Sequence, residues 1–148
     1  MVRITGEYLG ELHCLAVHAP SGRNLDTDAP KDNRGRGESF SPTDLTATSL
    51  VTCMATTMAI AAQRYGLELP RLRFEITKEM SSDSPRRIVR LATEIWLPFA
   101  QNGKAARILR KAAKNCPVCL SLNAAIDRPI VFHWTDAGNA DSTNAASP

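Results

Sequence analysis

An α+β fold is predicted for this chain by three observations. Apolar and polar residues alternate at strand spacing through residues 2–19, 71–97 and 129–134, whereas residues 45–62 form one long uncharged run that reads as a helix. Strands and helices do not alternate strictly, so antiparallel sheet wrapping a long helix fits better than a doubly wound α/β fold. With 43% of its 148 residues hydrophobic, the chain has enough apolar material to close a core of its own. A single domain is expected over residues 1–135. The segment 136–148, rich in Ala, Ser, Asn and Asp, reads as a disordered tail.

Residues 2–19 read as two short strands separated by Gly10, with alternation clearest from Leu12 to Val17. From Ala19 to Phe40 the composition turns to Gly, Asp, Asn, Pro and charge. A connection of that length is unusual unless it serves a site, and a site loop is expected here. Ser41-Pro-Thr-Asp44 is a helix start: Ser caps, Pro suits the first helical position and Asp44 stands where a capping acid belongs. Gly66 supplies the stop.

Between these signals the run from Leu45 to Ala62 is long enough to cross a bilayer. Its content argues otherwise. Thr46, Thr48, Ser49, Thr52, Thr56 and Thr57 are too many hydroxyls for a lipid-facing helix, whereas a helix enclosed by protein satisfies them on its own backbone. A buried central helix is expected. A chain with only 5% aromatic residues struggles to cover such a helix on all sides, so a partner subunit is expected too.

Leu72, Phe74 and Ile76 alternate with Arg71, Arg73 and Glu75, and a second alternation runs through Val89, Leu91, Ile95 and Leu97 beyond a turn at 81–85; together they read as a hairpin. A helix over about 103–114, a helical segment from Cys116 and a strand over 129–134 complete the order.

A formal net charge of +3 is mild, and the basic stretch from Lys104 to Lys114 spaces its charges as the wet face of an amphipathic helix. The Arg-Gly-Arg-Gly at 34–37 occurs once, unlike an RNA-binding arm. Neither nucleic acid nor membrane is an expected partner. The opening residues, Met-Val-Arg-Ile-Thr-Gly-Glu, alternate like a strand and lack the apolar centre of a signal peptide, so a cytoplasmic location is expected. In a reducing compartment paired thiols bind metal or do redox chemistry more often than they form structural disulfides.

The four cysteines are then weighed in turn. A structural zinc site needs four ligands, commonly in two close pairs; this chain has one Cys116-x-x-Cys119 and no second pair, so no metal is expected. His13, His18 and His133 are scattered on strand-like segments and read as structural. A thioredoxin-like dithiol follows a buried strand, but a basic helix precedes this one. Cys116, just before Pro117, sits near a helix N-terminus, which favours thiolate. Cys53, flanked by Val51 and Met54, is either a small space-filling residue or a reactive thiol. Cys14, beside Leu15, reads as packing.

Three segments in order carry a resemblance: Gly37-Glu-Ser-Phe-Ser-Pro-Thr-Asp-Leu45, Ser49-Leu-Val-Thr-Cys-Met54 and Lys114-Asn-Cys-Pro-Val118. Over roughly Gly37 to Trp134 the chain resembles the OsmC/Ohr family of thiol-dependent peroxidases, named for osmotically inducible protein C and organic hydroperoxide resistance protein. The resemblance implies antiparallel sheets wrapping long central helices in an intertwined homodimer. By position, Cys53 looks like the peroxidatic thiol, which takes an oxygen from organic hydroperoxide or hydrogen peroxide to become a sulfenic acid. Cys116 looks like the resolving thiol.

The resemblance further implies an arginine from the loop before the central helix, here Arg36 or Arg34, held by an acid at the helix start, here Asp44. Nine residues at about 1.5 Å rise set Asp44 roughly 13 Å from Cys53 along the helix, a gap that a guanidinium would have to bridge. No bound cofactor is implied; an external dithiol such as dihydrolipoamide completes the cycle. Two departures from the family pattern stand out. Cys119 occupies a position where relatives usually have Ser, and Thr43 stands where the best-known members have Glu, so the chain looks more like the branch with Ser-Pro-x-acid-Leu. Two other readings stay open: a dithiol–disulfide oxidoreductase using Cys116 and Cys119, and a non-catalytic dimer that binds a small ligand or partner.

Overall fold

A computed structural model of the chain describes residues 1–135, in two compact units, Met1–Thr46 and a second from Ala47 onward. The expected tail, 136–148, lies outside the described residues.

The first unit is a three-stranded antiparallel meander, β1 (Ile4–Gly10), β2 (His13–His18) and β3 (Arg23–Asp28), in that order. Gly10, Glu11 and Leu12 turn the first corner with positive φ. Gly6 is needed where β1 crosses β2, since a Cβ there would lie 2.6 Å from the Leu15 carbonyl oxygen. Strand β3 falls inside the segment expected to be a loop. Its sequence, Arg-Asn-Leu-Asp-Thr-Asp, shows no alternation because its first four residues are exposed on both faces, and the ladder to β2 holds it instead. Beyond β3 the chain makes a 3₁₀ turn at Lys31–Asn33, closed by Arg34 in the left-handed region. It then folds back along β3, with the Gly37 N–H donating to the Ala29 carbonyl and the Asp28 N–H to the Phe40 carbonyl.

The helix start forms as expected. The Asp44 N–H donates to Ser41 Oγ at 3.1 Å and the Ser41 N–H to Asp44 Oδ2 at 2.8 Å, a reciprocal capping box at the head of α1 (Pro42–Arg64).

In the second unit, Ala47, Leu50, Val51, Met54, Met58 and Ala62 form the buried stripe of α1. The helix was expected to be enclosed; among the described residues it is covered on one side only, and Thr52, Thr56 and Ile60 are exposed. The hydroxyls behave as predicted, Thr52 donating to the Thr48 carbonyl at 2.7 Å and Thr56 to the Thr52 carbonyl at 2.9 Å. Gly66, at φ 65°, ends the helix in a turn whose Leu67 N–H reaches the Ala62 carbonyl.

Strands β4 (Arg73–Met80) and β5 (Ile88–Leu97) pair antiparallel, and β6 (Ile130–Trp134) joins the other side of β5. The β5–β6 pair is parallel, so this sheet is mixed rather than antiparallel as expected. The chain between them crosses over through α2 (Lys104–Lys114) and the short α3 (Pro117–Ser121), and a crossover of that kind returns a strand in the same direction. Leu91, Thr93, Ile95 and Leu97 form the buried face of β5; the three apolar ones share a core cluster with Leu50, Met54, Met58, Leu109, Ala113 and Cys116.

This packing makes a prediction. Met58 is fully buried, so Met58→Ala is expected to cost about 2–5 kcal/mol by transfer and cavity terms. Met58→Leu, which conserves volume, is expected to cost less than about 1.5 kcal/mol. Urea denaturation of both variants checks this; equal losses would show that the site is not close-packed.

Candidate active site

The second unit brings two of the sequence-predicted site residues together. Cys53, half-buried near the middle of α1, packs against the core cluster that contains Cys116. Cys53 lies close enough to Cys116 to influence its titration.

Cys116 reaches this position through a local chain reversal. Helix α2 ends at Lys114, with the Asn115 side-chain amide donating to the Lys111 carbonyl at 2.7 Å. Pro117 disfavours helical geometry at the residue before it, so Cys116 is extended, at ψ 146°, and serves as N-cap of α3. Its sulfur accepts the Cys119 N–H at 3.3 Å, the role a serine hydroxyl usually plays. At the other end of α3, Arg128 donates to the Cys119 carbonyl at 3.0 Å and the Leu122 carbonyl at 3.3 Å. Nothing in the sequence marked Arg128, because its partners are main-chain carbonyls rather than residues of complementary charge.

The helix terminus was expected to favour the Cys116 thiolate. Burial decides otherwise: with Cys116 fully enclosed, desolvation of the charged form lifts its thiol to about 11. The Cys119 N–H pulls the other way but is outweighed, and the neighbouring Cys53 raises the value further. At neutral pH Cys116 is therefore a thiol.

Cys119 is half-buried, close enough to Cys116 to influence its titration. All four cysteines are free; Cys14, expected to pack, is exposed on β2. One turn beyond Cys53, Thr57 begins a groove of about 400 Å³ between α1 and α2, lined also by Ile60, Ala61, Tyr65, Ile108 and Ala112.

The remaining predicted residues belong to the first unit. Arg36 pairs with Glu11, both side chains exposed, and Arg34 closes the 3₁₀ turn. The Asp44 carboxylate is engaged by the Ser41 N–H and hydroxyl. The Arg36–Glu11 pairing was not foreseen, since it depends on how the loop folds back.

The raised Cys116 value has a signed consequence. The folded state keeps a proton that the unfolded thiol, with an ordinary value of 9.0, gives up. The stabilisation this represents is complete below about pH 9 and is lost as pH rises toward about 11. Unfolding measured across that window is expected to show stability falling with pH, and falling less in Cys116→Ser; identical slopes would show that Cys116 is not desolvated.

With this geometry established, comparison with known proteins places the chain. A family model described as OsmC-like protein matches residues 35–128. A solved structure from Psychrobacter arcticus, provisionally named an osmotic stress induced and detoxification response protein, is 36% identical. The alignment covers 89% of this chain and 94% of that one, with a TM-score of 0.80. An organic hydroperoxide resistance protein OsmC from Legionella pneumophila has the same fold at 14% identity, with a TM-score of 0.74 over 90% of this chain and 96% of that one. So does the organic hydroperoxide resistance protein OhrB of Bacillus subtilis, at 14% identity and a TM-score of 0.65 over 89% and 97%. No curated protein sequence matches the chain. The fold, the matched segment and the Psychrobacter relative agree: this chain belongs to the OsmC-like protein family.

Proposed function

We propose that the chain is a thiol peroxidase in which Cys53 reduces a hydroperoxide and Cys116 resolves the product. The observation that carries this reading is the packing of Cys53 against the core cluster that encloses Cys116, close enough to raise the Cys116 pKa. In the first step the Cys53 sulfur, as thiolate, attacks the terminal peroxide oxygen; an S–O bond forms, the O–O bond breaks, and the leaving alkoxide takes a proton to depart as alcohol. In the second, Cys116 gives up its proton and its sulfur displaces hydroxide from the Cys53 sulfenic acid, forming the disulfide and water. An external dithiol then exchanges with that disulfide, is itself oxidised, and returns both cysteines to thiols.

Burial of Cys116 has a use in this scheme. A thiol held protonated at neutral pH does not compete with Cys53 for peroxide. The groove beginning at Thr57 is lined mainly by apolar groups and suits the alkyl part of an organic hydroperoxide; hydrogen peroxide is small enough to use the same thiol. The other assignments rest on the family resemblance: Arg36, or else Arg34, steadies the Cys53 thiolate, Asp44 orients that arginine, and two chains pair as an intertwined homodimer in the cytoplasm. The names of the Legionella and Bacillus proteins agree with hydroperoxide as the substrate class.

A second reading has its own observation, the Cys119 N–H on the Cys116 sulfur, which makes Cys116 and Cys119 a compact pair at a helix start. A dithiol–disulfide oxidoreductase would use that pair and dispense with Cys53.

Steady-state turnover of cumene hydroperoxide with a dithiol reductant separates the two. Cys53→Ser is expected to abolish activity and Cys119→Ser to retain most of it. Arg36→Ala is expected to lower kcat/KM about 10²-fold, as loss of a group stabilising developing charge commonly does. Activity that survives Cys53→Ser and disappears in Cys119→Ser would establish the dithiol mechanism instead.

A further inference from the structure

The first unit contains a second cluster of chemistry, separate from the thiols. His13 and Asp28 are direct cross-strand partners in the β2–β3 ladder. Glu38 joins them because the chain folds back along the end of β3, where its N–H donates to Asp28 Oδ2 at 3.0 Å. One ligand atom from each of the three side chains lies within 4.8 Å of the others.

Four features give this cluster the construction of a cation site. The Asp28 side chain is fully buried, yet its Oδ1 has no hydrogen-bond partner. A buried carboxylate oxygen without a donor is costly unless a positive charge faces it. The group it does face is His13 Nε2, at 3.7 Å, and Glu38 Oε2 lies 3.5 Å from the same nitrogen. His13 Nδ1 is 2.9 Å from the Glu11 carbonyl oxygen, which can only accept, so Nδ1 carries the hydrogen. In the neutral ring Nε2 offers its lone pair to an ion held between it and the two carboxylates. Metal-binding histidines are oriented in this way, with the far nitrogen tied to a carbonyl.

Distance decides what fills the middle. A direct N–H···O bond needs about 2.7–3.2 Å, shorter than either separation. Ligands on a tetrahedral ion at about 2.0–2.1 Å lie roughly 3.3–3.4 Å apart, close to both. Charge agrees, since two carboxylates and a neutral imidazole balance a divalent ion. The Glu38 side chain is 60% exposed, which leaves an entry path and room for water to complete the coordination.

We propose that His13, Asp28 and Glu38 bind one divalent first-row transition ion of the zinc type. The imidazole selects such an ion over Mg²⁺ or Ca²⁺. Binding there ties the returning loop, which includes Arg34 and Arg36, to β2 and β3. Gly35 lets this loop run close, since a Cβ at that position would lie 1.6 Å from the Ala29 carbonyl oxygen. The site uses no cysteine, so it stands or falls independently of the peroxidase reading.

Titrating chelator-stripped, reduced full-length protein with Co²⁺ tests this. The expected result is about one equivalent per chain, seen as weak visible absorption without the intense near-ultraviolet band of a cobalt–thiolate bond. His13→Ala and Glu38→Gln should each weaken binding at least tenfold, and Cys53→Ser should leave it unchanged. Glu38 is exposed, so Glu38→Gln tests the ligand without disturbing the core, and circular dichroism confirms that His13→Ala is folded. Absence of stoichiometric binding, a thiolate band, or affinity unchanged in both ligand variants would each overturn the proposal.

Discussion

Enclosure of the Cys116 sulfur is the constraint on which the second unit's chemistry depends. Where α2 ends and α3 begins, Pro117 forces an extended residue, and the core formed by α1, α2 and β5 closes over it. Burial pushes the pKa of the thiol up, and Cys53, packed against the same core, sets a second sulfur near it. Any loosening of this core would lower the Cys116 pKa and change its spacing from Cys53 together. Stability and the titration of Cys116 therefore rest on the same packed residues.

The departure at residue 119 acts on the same sulfur. Cys119 holds Cys116 through its main-chain N–H, an interaction indifferent to whether the side chain is Ser or Cys. Its thiol adds a second sulfur near Cys116 without altering that cap. Arg128, bound to the Cys119 and Leu122 carbonyls, ties down the C-terminal part of α3.

Legibility from sequence followed burial. Strand β5, with one buried face, and the Ser41–Asp44 capping box carry patterns that periodicity and helix-start chemistry detect. Strand β3 does not, because its exposed polar residues owe their order to the neighbouring ladder. The direction of β6 depends on the crossover rather than on any residue within it. Composition left Cys53 ambiguous between packing and reaction; only the resemblance linked it to Cys116, and the fold packs it against the cluster that holds Cys116. The cluster of His13, Asp28 and Glu38 was hidden for a related reason, since two of its members lie in the segment expected to be a loop and the third looked structural in isolation.

Mapping the disulfides in anaerobically reduced protein after one equivalent of cumene hydroperoxide tests the central claim most directly. A Cys53–Cys116 bond, formed within seconds and before any other, is the result this account predicts. A first bond between Cys116 and Cys119, or four thiols left unchanged, would contradict it.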